Sequence, residues 1–203
     1  MPFDPDNTQT SRLRLLDAGK NLFAQYGYEQ TSTAAIARSA GTSESQLVRY
    51  FGGKAGLLGA IFNESWKPLN EQVREVIDAA SGAQEALLAV FDTILAAFRA
   101  DPDAAFLLLF EGRRVRSHGS EISLSQGFAD FQELIGGVIR RGRESGTFTD
   151  GFSEAALAFA LVGAAESLVR ERLIAHRSHQ PDPFTDEEIR SVFGAILSGL
   201  CRR

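Results

Sequence analysis

With 203 residues, 44% of them hydrophobic and 23% charged, the chain has a globular composition and enough length for one sizeable domain or a small one joined to a larger one. A single cysteine, Cys201, excludes an internal disulfide framework and, with no secretory leader, points to a reducing cytoplasm; the apolar runs fall short of the roughly 20 residues that span a bilayer. The net charge of −5 weighs against a nucleic-acid partner for the chain as a whole, but residues 1–60 hold six basic side chains against five acidic, so the excess acid lies beyond them.

Residues 1–9, with two prolines and three Asp or Asn, read as an arm ahead of a first helix from about Ser11 to Tyr26, whose apolar face is Leu15, Leu16, Ala18, Gly19, Leu22 and Phe23. Gly27 stops it. Ser32 is placed to cap a helix of about two turns, with Ile36, Ala37 and Ala40 on one face, and Gly41 follows at the point where positive φ is usual. Ser43 is a second N-cap. In the helix it opens, Leu47, Tyr50 and Phe51 recur at buried spacing while Glu44, Ser45, Gln46 and Arg49 project outward. Two short helices around a tight glycine turn are the arrangement that lays the second helix in the major groove of DNA.

Gly52-Gly53 then breaks the chain and Lys54 begins a long fourth helix, with Pro68 inside it as a kink and candidate joint. Ser81-Gly82 closes that helix. A fifth, Ala83 to Arg99, is too apolar all round for a surface position, and Asp101-Pro102-Asp103 turns into a sixth running to about Arg116. Ser117–Ser120 read as a loop, and further helices are expected from about Ser123 to Ser145, Ser153 to His176, and Thr185 to Leu200 with Glu188 completing a capping box. This makes nine helices, no strand and no internal repeat.

The string Ser32, Ile36-Ala37, Ala40-Gly41, Thr42-Ser43, then Leu47-x-x-Tyr50-Phe51-x-x-Lys54 resembles the DNA-binding segment of the TetR family of transcriptional regulators. The resemblance extends upstream to Leu22, Phe23, Gly27 and Tyr28, and downstream to Leu57, Leu58 and Ile61, covering roughly residues 10 to 66. It implies an all-α fold in which an N-terminal arm and three-helix helix-turn-helix domain (1–54) precede a helical ligand-binding and dimerisation domain (55–203). It also implies a homodimer on a near-palindromic operator, a repressor released by a small, mainly apolar effector, and neither cofactor nor membrane partner.

In that family the positions of Thr33, Ser43, Tyr50 and Lys54 contact DNA phosphates, and all four side chains can donate to phosphate oxygens. For Thr33 and Ser43, capping competes for the same hydroxyl. Glu44, Ser45, Gln46 and Arg49 are the base-reading candidates, since Gln suits adenine, Arg guanine, and Glu the cytosine amino group. Two positions depart from the family's pattern: Glu44 stands where a basic or amide residue is common, and Val48 where tyrosine is usual. With the weak local charge, these departures leave room for a competing reading, a helical small-molecule-binding protein that has lost operator binding.

The resemblance further implies a ligand cavity among the later helices, for which Phe62, Trp66, Phe91, Phe98, Phe110, Phe128 and Phe131 are candidate walls and Glu111, Arg113 and Glu166 candidate polar groups; plain core is the alternative for each aromatic. The last two helices resemble the family's dimer-forming pair, with Gly163 permitting close approach and Phe159, Val162, Glu166 and Leu168 beside Val192, Phe193, Ile196 and Leu197 at the contact. No enzyme is expected. His118, His176 and His179 are the only histidines, and no nucleophile triad, phosphate-cradling loop or metal-ligand spacing stands out; His176-x-x-His179 adjoins a proline-rich loop and reads as surface.

Overall fold

A computed structural model of the chain describes residues 5–111 and 126–201. Within these, the α-helices are α1 (Pro5–Tyr26), α2 (Thr33–Ser39), α3 (Glu44–Phe51), α4 (Lys54–Ala79), α5 (Ala83–Ala100), α6 (Pro102–Phe106), α7 (Gln126–Glu144), α8 (Glu154–Arg177) and α9 (Asp186–Gly199). A π-helical turn, Leu107–Glu111, continues α6. The fold is all-α among the described residues, apart from one isolated antiparallel bridge between Phe148 and Cys201. The continuation of the sixth helix to Arg116, the loop Ser117–Ser120, the start of the seventh at Ser123, and Arg113 and His118 lie outside the described residues.

Helix α1 begins at Pro5, six residues before the expected start. Proline fits a first helical turn because the N–H it lacks would be unpaired there anyway. The other boundaries follow capping chemistry. Ser32 Oγ accepts from Ala35 N at 3.1 Å, Ser43 Oγ from Gln46 N at 3.3 Å and Ser153 Oγ from Ala156 N at 3.1 Å. Thr185 and Glu188 form the full reciprocal box, and each such cap stabilises its helix by about 1 kcal/mol. Pro68 lies inside α4, which runs unbroken through it.

The chain divides into two compact units: residues up to Trp66 together with the segment from Asp103, and residues 67–102 together with those from Gln126. The first is built on Leu15, Phe23, Ile36, Leu47, Leu57 and Leu107, each fully buried in one cluster. Amphipathic spacing explains five of these. Leu107 comes from the π turn far along the chain, so the head is completed by a segment that its local sequence does not announce. The second unit packs α5 against α7 and α9, and α8 against α7 and α9. At its centre Phe91 of α5 stacks on Phe193 of α9 at 4.1 Å between ring centres. No described helix is long and apolar enough to cross a membrane.

Candidate nucleic-acid interface

The turn between α2 and α3 is set by Gly41, whose φ of 61° lies in the left-handed region that L-residues with a Cβ rarely adopt. Thr42 N donates to Ala37 O at 2.9 Å and closes the turn. Helix α3 then buries Leu47 completely against α1, α2 and α4 residues of the head core, while Tyr50 and Phe51 pack partly against the same cluster. With that face anchored, Ser43, Glu44, Ser45, Val48 and Arg49 are exposed and Gln46 half-buried. Glu44, Ser45 and Arg49 are thus outward as expected, Gln46 only partly so, and the exposed face combines acceptors, donors and the methyls of Val48.

At the far end of α3, Gly52 (φ 72°) closes the helix through its N–H to Val48 O at 2.8 Å. The chain turns back so tightly that a Cβ on Gly56 would sit 1.7 Å from the backbone oxygen of Phe51. Gly56 is therefore a positioning residue for α3 that sequence reasoning missed: it sits inside a helix, where glycine normally signals only weaker propensity.

The side chains expected at DNA are held by particular neighbours. Thr33 Oγ1 donates to Glu44 Oε2 at 2.6 Å, joining the first residues of α2 and α3. Ser43 Oγ and Ser45 Oγ lie 2.9 Å apart, so Ser43 combines its cap with a second hydroxyl contact. Arg49 Nη2 donates to Tyr50 Oη at 2.9 Å, and its guanidinium lies 4.9 Å from the centre of the Tyr50 ring.

Lys54 is differently placed. Its ammonium donates to Tyr28 O at 2.9 Å, Thr31 O at 3.0 Å and Glu29 O at 3.5 Å, and lies 4.3 Å from the centre of the Tyr28 ring. All three N–H donors of the lysine are turned to the loop between α1 and α2. In this state Lys54 fastens the loop that presents α2. Thr31, fully buried but for 3%, fastens the same loop from inside by donating to Gly27 O at 2.8 Å.

The candidate effector residues fall in both units. In the first, Trp66 and Glu111 are buried, Phe62 packs on the head core, and Phe110 stacks on Phe106 at 4.6 Å. In the second, Phe128 and Phe131 stack at 6.4 Å, Glu166 is half-buried, and Phe91 is committed to its stack with Phe193. Phe98 lines a cleft of about 160 Å³ with Leu95, Val169, Leu173 and Arg172. Arg172 is steadied there by Asp186 and, at 2.8 Å, by Asp182; burial opposes its charge, but these hydrogen bonds outweigh burial and raise its pKa. The same Arg172 hydrogen bond, assisted by the charge of Arg99, holds the Asp186 carboxyl below its ordinary range. Sequence reasoning missed this cluster because its members come from α5, α8 and the start of α9.

Of the residues expected between two chains, Phe159, Val192 and Ile196 are exposed at 61%, 49% and 39%, and Gly163 is exposed beside them on α8. Val162, Glu166 and Leu168 are half-buried. Phe193 and Leu197 turn inward instead: spaced four apart on α9, they fall on the helix face that packs on α5, and less than 5% of either is exposed. They form core within their own unit.

Residues 15–61 match the family model described as bacterial regulatory proteins, tetR family, a span that contains α2, α3 and their supporting core. Over that span the chain carries the DNA-binding domain of the TetR family. It is a DNA-binding transcriptional regulator with an all-α fold like that of solved TetR-family structures. Among curated relatives, the fatty acid metabolism regulator protein of Bacillus subtilis (strain 168) is 24% identical over 143 residues, 68% of this chain and 71% of the relative. Among solved structures, the fatty acid degradation regulator FadR from Bacillus halodurans superposes with a TM-score of 0.79 at 19% identity, covering 92% of this chain and 97% of that one. The transcriptional regulator FadR from Bacillus subtilis in complex with stearoyl-CoA gives 0.78 at 19% identity, covering 91% and 95%.

Proposed function

We propose that this TetR-family regulator is a homodimeric repressor that reads a near-palindromic operator with α3 and releases it when an apolar effector binds the second unit. The observation that carries the reading is α3 itself: Leu47 is fully buried while Glu44, Ser45, Val48 and Arg49 stand exposed on the opposite side. A recognition helix needs this division, because one face must be fixed for the other to meet base edges in register. Thr33, Ser43, Glu44, Ser45, Gln46, Arg49 and Tyr50 form the DNA-facing set. Lys54 joins them as a phosphate contact only by giving up bonds to the Tyr28–Thr31 loop, and otherwise serves the interface by holding that loop.

Pairing supports both affinity and spacing. Residues 1–60, with six basic side chains against five acidic, give modest phosphate attraction per copy, and two heads on one site multiply it. Exposed Phe159, Val192 and Ile196 on α8 and α9 offer the apolar surface for a second copy. The homodimer belongs in a reducing cytoplasm, with its DNA.

The relative crystallised with stearoyl-CoA makes long-chain acyl-CoA the first effector class to test. Effector and operator oppose one another's binding by the same factor, since coupling between two sites is reciprocal. The experiment selects bound fragments from genomic DNA, then titrates the selected duplex complex with stearoyl-CoA. Recovery of a dyad-symmetric sequence, released by the acyl-CoA, is the expected result. Release without any effect of operator on acyl-CoA affinity contradicts the coupling, and failure to recover any preferred sequence contradicts the operator reading.

A further inference from the structure

Glu44 is the first residue of α3, immediately after the cap, and the N-terminal residues of a groove-entering helix are those that meet base edges. A carboxylate at that position benefits from the helix dipole but approaches a polyanion, so it weakens DNA binding unless it takes a hydrogen bond from a base. The structure holds it ready to do so. Thr33 Oγ1 donates to Oε2 at 2.6 Å from the first residue of α2, fixing the side chain across the turn, while Oε1 has no hydrogen-bond partner among the described residues and Glu44 is exposed. Thr33 has one hydroxyl proton, and while it is spent on Glu44 it is not offered to a phosphate.

An ionised carboxylate only accepts. In the major groove guanine offers the acceptors N7 and O6, thymine the acceptor O4, and adenine the donor N6 beside the acceptor N7. Cytosine alone presents a donor, N4, with no acceptor of its own on that edge. We propose that Glu44, held in place by Thr33, is a specificity-determining residue that requires a cytosine at one position of each operator half-site. The inference rests on α3 being the helix that enters the groove. Glu44 supplies discrimination rather than affinity: it favours one base and repels the acceptor edges of the others, while Thr33 is the positioning residue that removes the rotamer freedom of the carboxylate. The departure from a basic or amide residue at this position then becomes a statement about operator sequence rather than a loss of DNA binding.

The test selects binding sites from randomised duplexes with the full chain and with Glu44→Ala, Thr33→Val and Thr33→Ser. The wild type is expected to select cytosine at one symmetry-related pair of positions. Glu44→Ala should flatten that position alone, with discrimination falling about tenfold or more, and should hold unrelated duplexes as well as or better than the wild type because a negative charge is gone. Thr33→Val should flatten it partly, and Thr33→Ser, which keeps the hydroxyl, should restore it. A purely structural role for Thr33 would instead lower binding equally on all sequences. Retention of the same cytosine preference by Glu44→Ala overturns the inference, as does a loss spread evenly over every position. A wild type that selects no sequence at all overturns the operator reading with it, whereas a wild type with a clear operator unaffected by Glu44→Ala overturns this inference alone.

Discussion

The head and the second unit differ in what they leave unsatisfied. On α3 the outward groups other than Val48 are polar, and Glu44 and Arg49 each hydrogen-bond a single neighbour, Thr33 and Tyr50, leaving both positioned to change partner. In the second unit several charges are paired with one another: Arg172 joins Asp182 and Asp186, Arg190 takes Asp92 through both carboxylate oxygens at 3.0 Å, and Arg140 meets Glu154 at 3.2 Å. That unit also exposes large apolar side chains, Phe152, Phe159, Val192 and Ile196 among them. Each unit therefore advertises a different kind of partner. A mostly polar face over a rigid core suits base edges, and exposed large apolar side chains suit a second copy of the chain.

Core truncations should have the largest effects. Phe193→Ala removes the stack at the centre of the second unit and should cost about 3–5 kcal/mol, and Leu47→Ala beneath the recognition face about 2–5 kcal/mol, both read from denaturant unfolding. Their functional consequences should separate. Leu47→Ala loses DNA retention while remaining paired, and Phe193→Ala weakens pairing first, as seen by light scattering against dilution. If both variants lose the two properties together, the units do not carry separate partners.

A smaller effect is expected at the start of α3. Ser43→Ala removes the side-chain acceptor of Gln46 N and should cost about 1 kcal/mol in stability. Because the cap fixes the start of the recognition helix, operator affinity should fall with it. Unchanged affinity on a destabilised head would mean that DNA binding itself orders the helix.

The smallest effect belongs to the ion cluster. Asp186 is depressed in the folded chain, chiefly by its hydrogen bond from Arg172, so its contribution is present above the ordinary aspartate range and is lost as pH falls through the lowered folded value. Asp186→Asn should therefore flatten the acid limb of the stability profile and leave neutral-pH stability lower by no more than about 1 kcal/mol, since the pair is half exposed. An acid limb identical to the wild type would show that other carboxylates govern it.

Much of the head was legible because its signals are local. Ser32, Gly41 and Ser43 punctuate two short helices, and the spacing of Leu47, Tyr50 and Phe51 assigns every face of α3. What escaped is non-local. Nothing near Leu107 announces that a π turn will complete the head core, and eleven residues separate Thr33 from the Glu44 it holds. Lys54 looked like a solvent-facing phosphate contact because its three carbonyl partners lie more than twenty residues upstream. In the second unit the pattern of α9 marked Phe193 and Leu197 as apolar but carried no information on whether their partner was α5 of the same chain or another copy. Periodicity reports that a face is buried, not by what.

The most direct test of the central claim, that paired heads read DNA through the exposed face of α3, is the affinity of the full chain for its selected operator and for a scrambled duplex across a salt series. Log affinity should fall linearly with log salt for both duplexes, with a gap between them that Arg49→Ala narrows. Equal affinity for the two duplexes, or binding that ignores salt, would contradict it.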